Sequence, residues 1–201
     1  VEHIRRHRKR MAEFRLLGAS FVVSAFESVS DIVLRRLHKG HTRADLDEAL
    51  AIMKGAGLPV QPTWLPFTPW TSLDDYIDLL TWIRGHQLIG HVPVVQLSIR
   101  LLVPPKSALL DESSSGEFGR LDPANYSYAW HHPDPRMDDL QARVAVIAET
   151  ADKNDLYEAF NAVEQIAYAT ASRPLPVTSR QANMRRHDRA APPRLTEDWF
   201  C

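Results

Sequence analysis

Hydrophobic and polar positions along the chain change period several times. Residues 2–16 carry Ile4, Met11 and Phe14 or Leu16 on an otherwise basic stretch, which predicts a basic helix. Residues 20–26, "SFVVSAF", form an unbroken apolar run, the pattern of a strand covered on both faces. Ser30 is placed to start a helix with Ile32, Val33 and Leu37 near one face. Thr42 starts a second helix, with Asp45 three residues later as in a capping box and Leu46, Leu50 and Met53 at helical spacing. Gly57 stops it as a residue free to take positive φ. "LPVQPTWLPF" reads as a second short strand, weakened by Pro59 and Pro62. "TSLDDYIDLLTWI" reads as a third helix with acids in its first turn. "VPVVQLSIRLLVP" reads as a third strand between Pro93 and Pro104.

The order from 20 to 103 is therefore strand, helices, strand, helix, strand. That is a βα rhythm, and it predicts a parallel sheet with right-handed crossovers. Residues 104–134 are rich in Pro, Ser and Gly and read as irregular. Helices are expected over about 136–151 and 154–171, and the last 30 residues, with "RQANMRRHDR", as a poorly ordered tail. Three parallel strands make a poor complete domain, and "VEHIRRHRKRMAEF" reads as mid-helix in character without a cap. The expectation is a chain that begins inside a larger protein.

Composition narrows the function classes. The 201 residues suffice for a sizeable core, and 44% apolar with 24% charged residues is ordinary for a globular protein. A net charge of −1 gives no global field toward nucleic acid or anionic lipid. No apolar run reaches the length of a membrane span, and the basic start lacks a signal-peptide core. Neither a nucleic-acid nor a membrane partner is expected, and the compartment read by default is the cytoplasm. The one cysteine, Cys201, cannot form an internal disulfide or a multi-cysteine metal site.

Ligands of parallel βα sheets bind at the carboxyl ends of the strands, and this rule selects candidates directly. The first strand delivers Glu27 and Ser28, the second Thr63, Trp64 and the "PFTPW" turn, the third Gln96, Ser98 and Arg100. Glu27 either accepts hydrogen bonds from ligand hydroxyls or sits beside a helix N-terminus, where an acid gains several tenths to about 1 kcal/mol. Gln96 and Arg100, four apart on a strand, share one face. A buried Arg100 needs a partner, either a ligand carboxylate or Glu27. Lys39 and His41 in "KGHT" read as a solvated loop. His131 and His132 are adjacent, which suits convergence on one metal poorly. GxGxxG, P-loop and GxSxG motifs are absent.

The stretch "AFESVSDIVLRRLHKGHTRADLDEALAIMKGAGL" resembles the later half of a radical S-adenosylmethionine (radical SAM) barrel. "PTWLPFTPWTSLDDYIDLL", "PVVQLSIRLLVPPKSALL", "YAWHHPDPRMDDLQ" and the final "RLTEDWFC" are similar to the CUAEP/CCAEP-tail group of that family. The resemblance implies an α/β fold. Residues 1–103 would be the later half of a partial (β/α) barrel with about three parallel strands, 104–171 an irregular and helical extension, and 172–201 a flexible tail. It implies S-adenosylmethionine and a [4Fe–4S] cluster as cofactors, the cluster held by a CxxxCxxC motif. This chain has no such motif, so the cluster ligands are expected upstream of Val1, and the chain alone is expected to be inactive on its substrate, an unidentified small molecule or peptide. By position, Glu27, Ser28 and Ser24 would meet the cofactor's ribose, Thr63 and Pro66 would be cofactor-binding residues of segments that pack on the adenine or face the substrate, and Gln96 and Arg100 would lie on the substrate or cofactor side. Cys201 would be a redox-active tail residue, or a ligand or modification site, with translation stopping at a selenocysteine codon after it; the alternative is that the chain end is a random fragment edge. Two rivals remain: a non-catalytic half-barrel interaction module, and a different α/β enzyme using Glu27 and Arg100 for acid/base or anion chemistry.

Overall fold

The computed structural model describes residues 1–111, 116–152, 155–176 and 192; Cys201 and the basic "RQANMRRHDR" stretch lie outside them. The basic N-terminal helix is present in two pieces, α1 (Glu2–Arg6) and α2 (Arg8–Leu16), broken at His7, whose φ of −111° and ψ of 32° leave the helical region. Ile4 and Met11 are its buried positions. Its cations are partly spent on α4 (Arg43–Gly55): Arg5 meets Asp45 at 2.7 Å and Glu48 at 2.6 Å, and Arg8 meets Glu48 at 2.6 Å.

Two strands, β1 (Val22–Glu27) and β2 (Val60–Trp64), pair in parallel, with Val22 opposite Val60 and Ala25 opposite Thr63. Between them run α3 (Asp31–Arg36) and α4, the crossover that a parallel pair requires. The α4 start is the expected one, since the Asp45 carboxylate accepts from the Thr42 N–H at 2.7 Å. Gly57 closes it with φ +63°. On α3 the buried residues are Val33 and Leu34, while Ile32 is 59% exposed, so the apolar face sits one position further along than the spacing predicts.

β1 departs from expectation in one respect that matters for the site. It is covered on one face only. Phe26 and Trp64 are fully buried with Ser24 and Val60, whereas Val23 is 47% exposed and Ala25 is exposed, with Gln61 and Thr63 half-buried. The covered face meets the aromatic group of Phe26, Trp64 and Trp82, whose rings pack edge to face at 5.5–6.1 Å between centroids. Trp82 comes from α5 (Leu73–Gly85), which opens with a full capping box between Ser72 and Asp75. An uninterrupted apolar run does not by itself say how many faces are covered, because the small and exposed Ala25 reads as apolar too.

The expected third strand is not formed. Residues Ile89–His91 and Val94–Leu97 are short 3₁₀ turns, and what survives of the ladder is one parallel bridge between Phe67 and Arg100. Pro93 has no N–H to donate and enters at φ −55°, and Val94 and Leu97, three apart, turn the same buried way. The Gln96 side chain then supplies what a neighbouring strand would have supplied: its Oε1 accepts the Trp64 N–H at 3.0 Å. Gln96 and Arg100 therefore do not share a strand face. The described residues make a mixed helix and strand fold with a small parallel sheet and no closed barrel.

After Val103 the chain is irregular, as expected, apart from α6 (Ala108–Asp111) and a small hairpin of β3 (Leu121–Asp122) and β4 (Ser127–Tyr128). This segment builds a second small core of Leu101, Val103 and Trp130, packed with Leu37, Leu65, Trp70 and Phe118. Leu37 and Leu65 lie just past α3 and β2, so the segment gathers over the carboxyl end of the sheet. The last helices, α7 (Pro135–Thr150) and α8 (Leu156–Thr170), bury Leu140, Val144, Phe160 and Val163 in the main core. Among the described residues, no helix is long and apolar enough to cross a membrane.

Candidate functional site

The carboxyl end of β1 is the most unusual piece of backbone in the sheet. Glu27 has φ +67°, and the Ser28 N–H donates to the Phe26 carbonyl at 2.8 Å. A hydrogen bond from i+2 back to i around a residue of positive φ is the tight three-residue turn that L-residues adopt rarely and under strain. The strand register also slips between Ala25 and Glu27, so that Glu27 comes to lie opposite Trp64. Its carbonyl still accepts from Leu65 N–H at 2.9 Å. The chain thus stays in the sheet through Glu27 while the side chain is turned out of the regular alternation.

That side chain is 16% exposed, and its Oε1 lies 2.7 Å from Lys39 Nζ. The carboxylate goes to Lys39 rather than to the first turn of α3. Helix α3 is started by Ser30, with Ser28 Oγ accepting the Ser30 N–H at 3.1 Å. Among the described residues, Glu27 Oε2 has no protein partner, so one carboxylate oxygen is fixed and the other is open as an acceptor. Lys39 arrives by a turn at His38, whose φ is +53°, and leaves by one at Gly40, whose φ is +64°. His41 follows: its Nδ1 is 3.1 Å from the Lys39 carbonyl and its Nε2 3.4 Å from the Phe26 carbonyl. The Lys39–His41 loop, expected to be merely solvated, folds back onto the strand end. The available signal was a lysine and a histidine flanking a Gly stop that follows a strand-end acid by one short helix.

The other residues selected from sequence fall into distinct places. Ser24 lies on the buried face, where its Oγ accepts from the Val1 amino group at 3.0 Å. Thr63 is half-buried on the open face of the sheet beside Ala25, and Pro66 is buried just beyond β2. Ser98 is buried, its Oγ donating to Val95 O at 2.9 Å. Arg100 finds its partner in neither Glu27 nor an open cleft. It donates to Asp138 Oδ1 at 2.6 Å and to the Trp130 carbonyl at 2.7 Å, and its guanidinium lies 3.5 Å from the Trp130 ring centroid. Burial pushes the Asp138 carboxyl upward, but the hydrogen bonds from Arg100 and from the His132 N–H outweigh it and hold the group below the usual carboxylate range. Arg100 is thereby committed to pinning α7 against residues 98–101. His131 is exposed, while His132 bridges Asp134 and the Thr71 carbonyl, so the adjacent histidines face different surroundings.

The cofactors implied by the resemblance can be set against these residues. A [4Fe–4S] cluster needs three cysteine thiolates, and the chain contains one cysteine. The described residues also contain no group of three His, Cys, Asp or Glu able to hold a metal. The chain's own residues do not fit the cluster. A ribose is a better match: an open carboxylate oxygen at a strand's carboxyl end is an acceptor for hydroxyl donors, and only Glu27 among the selected residues offers one. A cleft of about 320 Å³ lies elsewhere, between α1–α2 and the start of β1, lined by Ile4, Met11, Phe14 and Val22 with His3, His7 and Arg10. Compared with family models, with curated proteins and with solved structures, the chain matches none.

Proposed function

We propose that this chain is the later-strand part of a radical SAM partial barrel and supplies the ribose side of an S-adenosylmethionine pocket. The observation that carries the reading is Glu27: a strained strand-end turn, one carboxylate oxygen anchored by Lys39 and the other open. Strain of this kind costs on the order of 1–3 kcal/mol and persists where surroundings impose it, most often at ligand sites. Two further observations support it. The sheet has a bare face, with Val23 and Ala25 exposed, and among the described residues no strand pairs with the other edge of β1. A barrel's inward face and an adjoining strand would account for both. Thr63 on the same open face would stand beside the adenine. When bound, the cofactor supplies the radical chemistry, with its cluster held by cysteines that another part of the protein must bring. This chain's contribution is to accept the ribose hydroxyls and to orient them.

The test is binding, followed residue by residue. Titrating the chain with S-adenosylmethionine should shift the amide signals of Glu27, Ser28 and Thr63, and Glu27→Gln should weaken that binding about 10–150-fold, the worth of one hydrogen bond to a charged group. Saturating cofactor with no response at these three residues, together with a reading frame ahead of Val1 that lacks CxxxCxxC, would end the proposal.

A further inference from the structure

We infer that the Lys39–Gly40–His41 loop is a proton-responsive latch, with His41 the positioning residue that sets Lys39 on the Glu27 carboxylate. Both ring nitrogens of His41 face carbonyl oxygens, Nδ1 toward Lys39 O at 3.1 Å and Nε2 toward Phe26 O at 3.4 Å. A carbonyl only accepts. A neutral imidazole has one N–H donor and one bare nitrogen, so it satisfies one of these oxygens and turns a lone pair toward the other. The imidazolium donates to both.

The two carbonyls belong to the two ends of the device. Phe26 is the residue before Glu27 and already accepts the Ser28 N–H that closes the strained turn. Lys39 is the residue whose ammonium meets Glu27. A doubly protonated His41 therefore ties the loop backbone to the strand backbone, and holds Lys39 where its ammonium fixes Glu27 Oε1. Glu27 and Lys39 are paired at the end of β1, and Asp45 faces His41 from α4, where the His41 charge is one of the influences that lower the Asp45 carboxyl. Asp45 is itself held by Arg5 of α1 at 2.7 Å. The device regulates how firmly Glu27 is presented. Its consequence for cofactor affinity rests on the reading proposed above; the latch itself does not.

Nuclear magnetic resonance on the intact chain tests it. Compared at an acidic and a mildly alkaline pH, the sample in which both His41 ring nitrogens carry protons should show an ordered Lys39 ammonium, and loss of one ring proton should go with loss of that order. Backbone amide exchange at residues 40–41, corrected for its intrinsic pH dependence, should be about 3–10-fold slower at the lower pH, the scale of one hydrogen bond. His41→Gln, whose amide can reach only one carbonyl, should leave Lys39 equally disordered at both pH values while the melting temperature holds. A single Nδ1–H tautomer with pH-independent protection, or Lys39 order unchanged in His41→Gln, overturns the latch. Adding S-adenosylmethionine separates the two proposals. A latch with no binding anywhere removes the cofactor reading and leaves the latch. Binding with the same affinity in His41→Gln overturns the latch's control over how firmly Glu27 is presented and leaves the reading.

Discussion

Glu164 and Glu27 are both carboxylates held by a cation at 2.7 Å, and they sit in opposite kinds of surroundings. Glu164, on α8, is 2% exposed and takes a two-point grip from Arg84 of α5: Nε to Oε1 at 3.1 Å and Nη2 to Oε2 at 2.7 Å. Asn161 accepts from the same guanidinium, which lies 5.1 Å from the Phe160 ring centroid. Both carboxylate oxygens are used. Glu27 has, among the described residues, one side-chain partner, a strained backbone and an oxygen to spare. The difference teaches how to separate a carboxylate that ties helices together from one that is presented. The first has both oxygens consumed by a planar partner; the second is fixed by a point charge on a flexible stem, which leaves room for a third group.

The largest effect that could break this comparison is at the locked pair. Glu164→Ala leaves the Arg84 guanidinium buried without its partner, and such truncations cost about 3–5 kcal/mol. Urea unfolding should show a loss of that size, with the Glu27 end of the sheet undisturbed in the part that still folds. A loss below about 1 kcal/mol would mean that Arg84 escapes to water. The contrast between a locked and a presented carboxylate would then have no energetic content.

A smaller effect sharpens the comparison from a third carboxylate, Asp138, which stands between the two extremes at 27% exposure of its side chain. Its folded-state pKa is lowered because hydrogen bonds from Arg100 and His132 outweigh the burial that raises it. The sign follows from the linkage. A depressed carboxyl contributes stability that is fully present above its unfolded value of about 4 and is lost as pH falls through the lower folded value. Asp138→Asn should therefore cost about 1–3 kcal/mol at neutral pH, the worth of a charged hydrogen bond, and little at about pH 2. Urea midpoints at the two pH values measure it. Equal losses at both would show that Arg100 is held by the Trp130 ring and carbonyl, and that Asp138 contributes shape alone.

These carboxylates also mark what was legible in the sequence. The helices were, because Thr42, Ser72 and Gly57 are local signals read by local rules. The parallel pairing of β1 and β2 was, because the helices between two short strands leave little other choice. The third strand was not, since "VPVVQL" serves a 3₁₀ turn as well as a strand, and only the long-range bond from Gln96 to Trp64 decides between them. Glu27 could be picked out by its place at a strand end. Its partner could not: Lys39 is 12 residues away across a helix and the turn at His38, and no spacing rule covers that distance. Arg100 failed for the same reason, because Asp138 lies 38 residues further on, beyond an irregular segment.

The smallest effect is the most diagnostic for Glu27, and it requires two variants read together. Glu27→Ala removes the carboxylate and the pair with Lys39, which at this exposure contributes about 0–1 kcal/mol, while leaving a side chain at φ +67°. Glu27→Gly removes the same pair and also the Cβ that makes positive φ unfavourable, a relief of about 1 kcal/mol offset in part by the greater freedom of glycine in the unfolded chain. The Gly variant should therefore unfold at a higher urea concentration than the Ala variant, and near or slightly above the wild type. The pair cancels the ion pair and isolates the backbone. If Gly and Ala unfold at the same midpoint, the turn at Phe26–Ser28 holds no strain, and Glu27 differs from Glu164 only in how wet it is. If the Gly variant is the more stable, the chain carries a residue at the end of β1 that folding alone would replace. The reason for keeping a carboxylate there then has to be sought in what its open oxygen accepts.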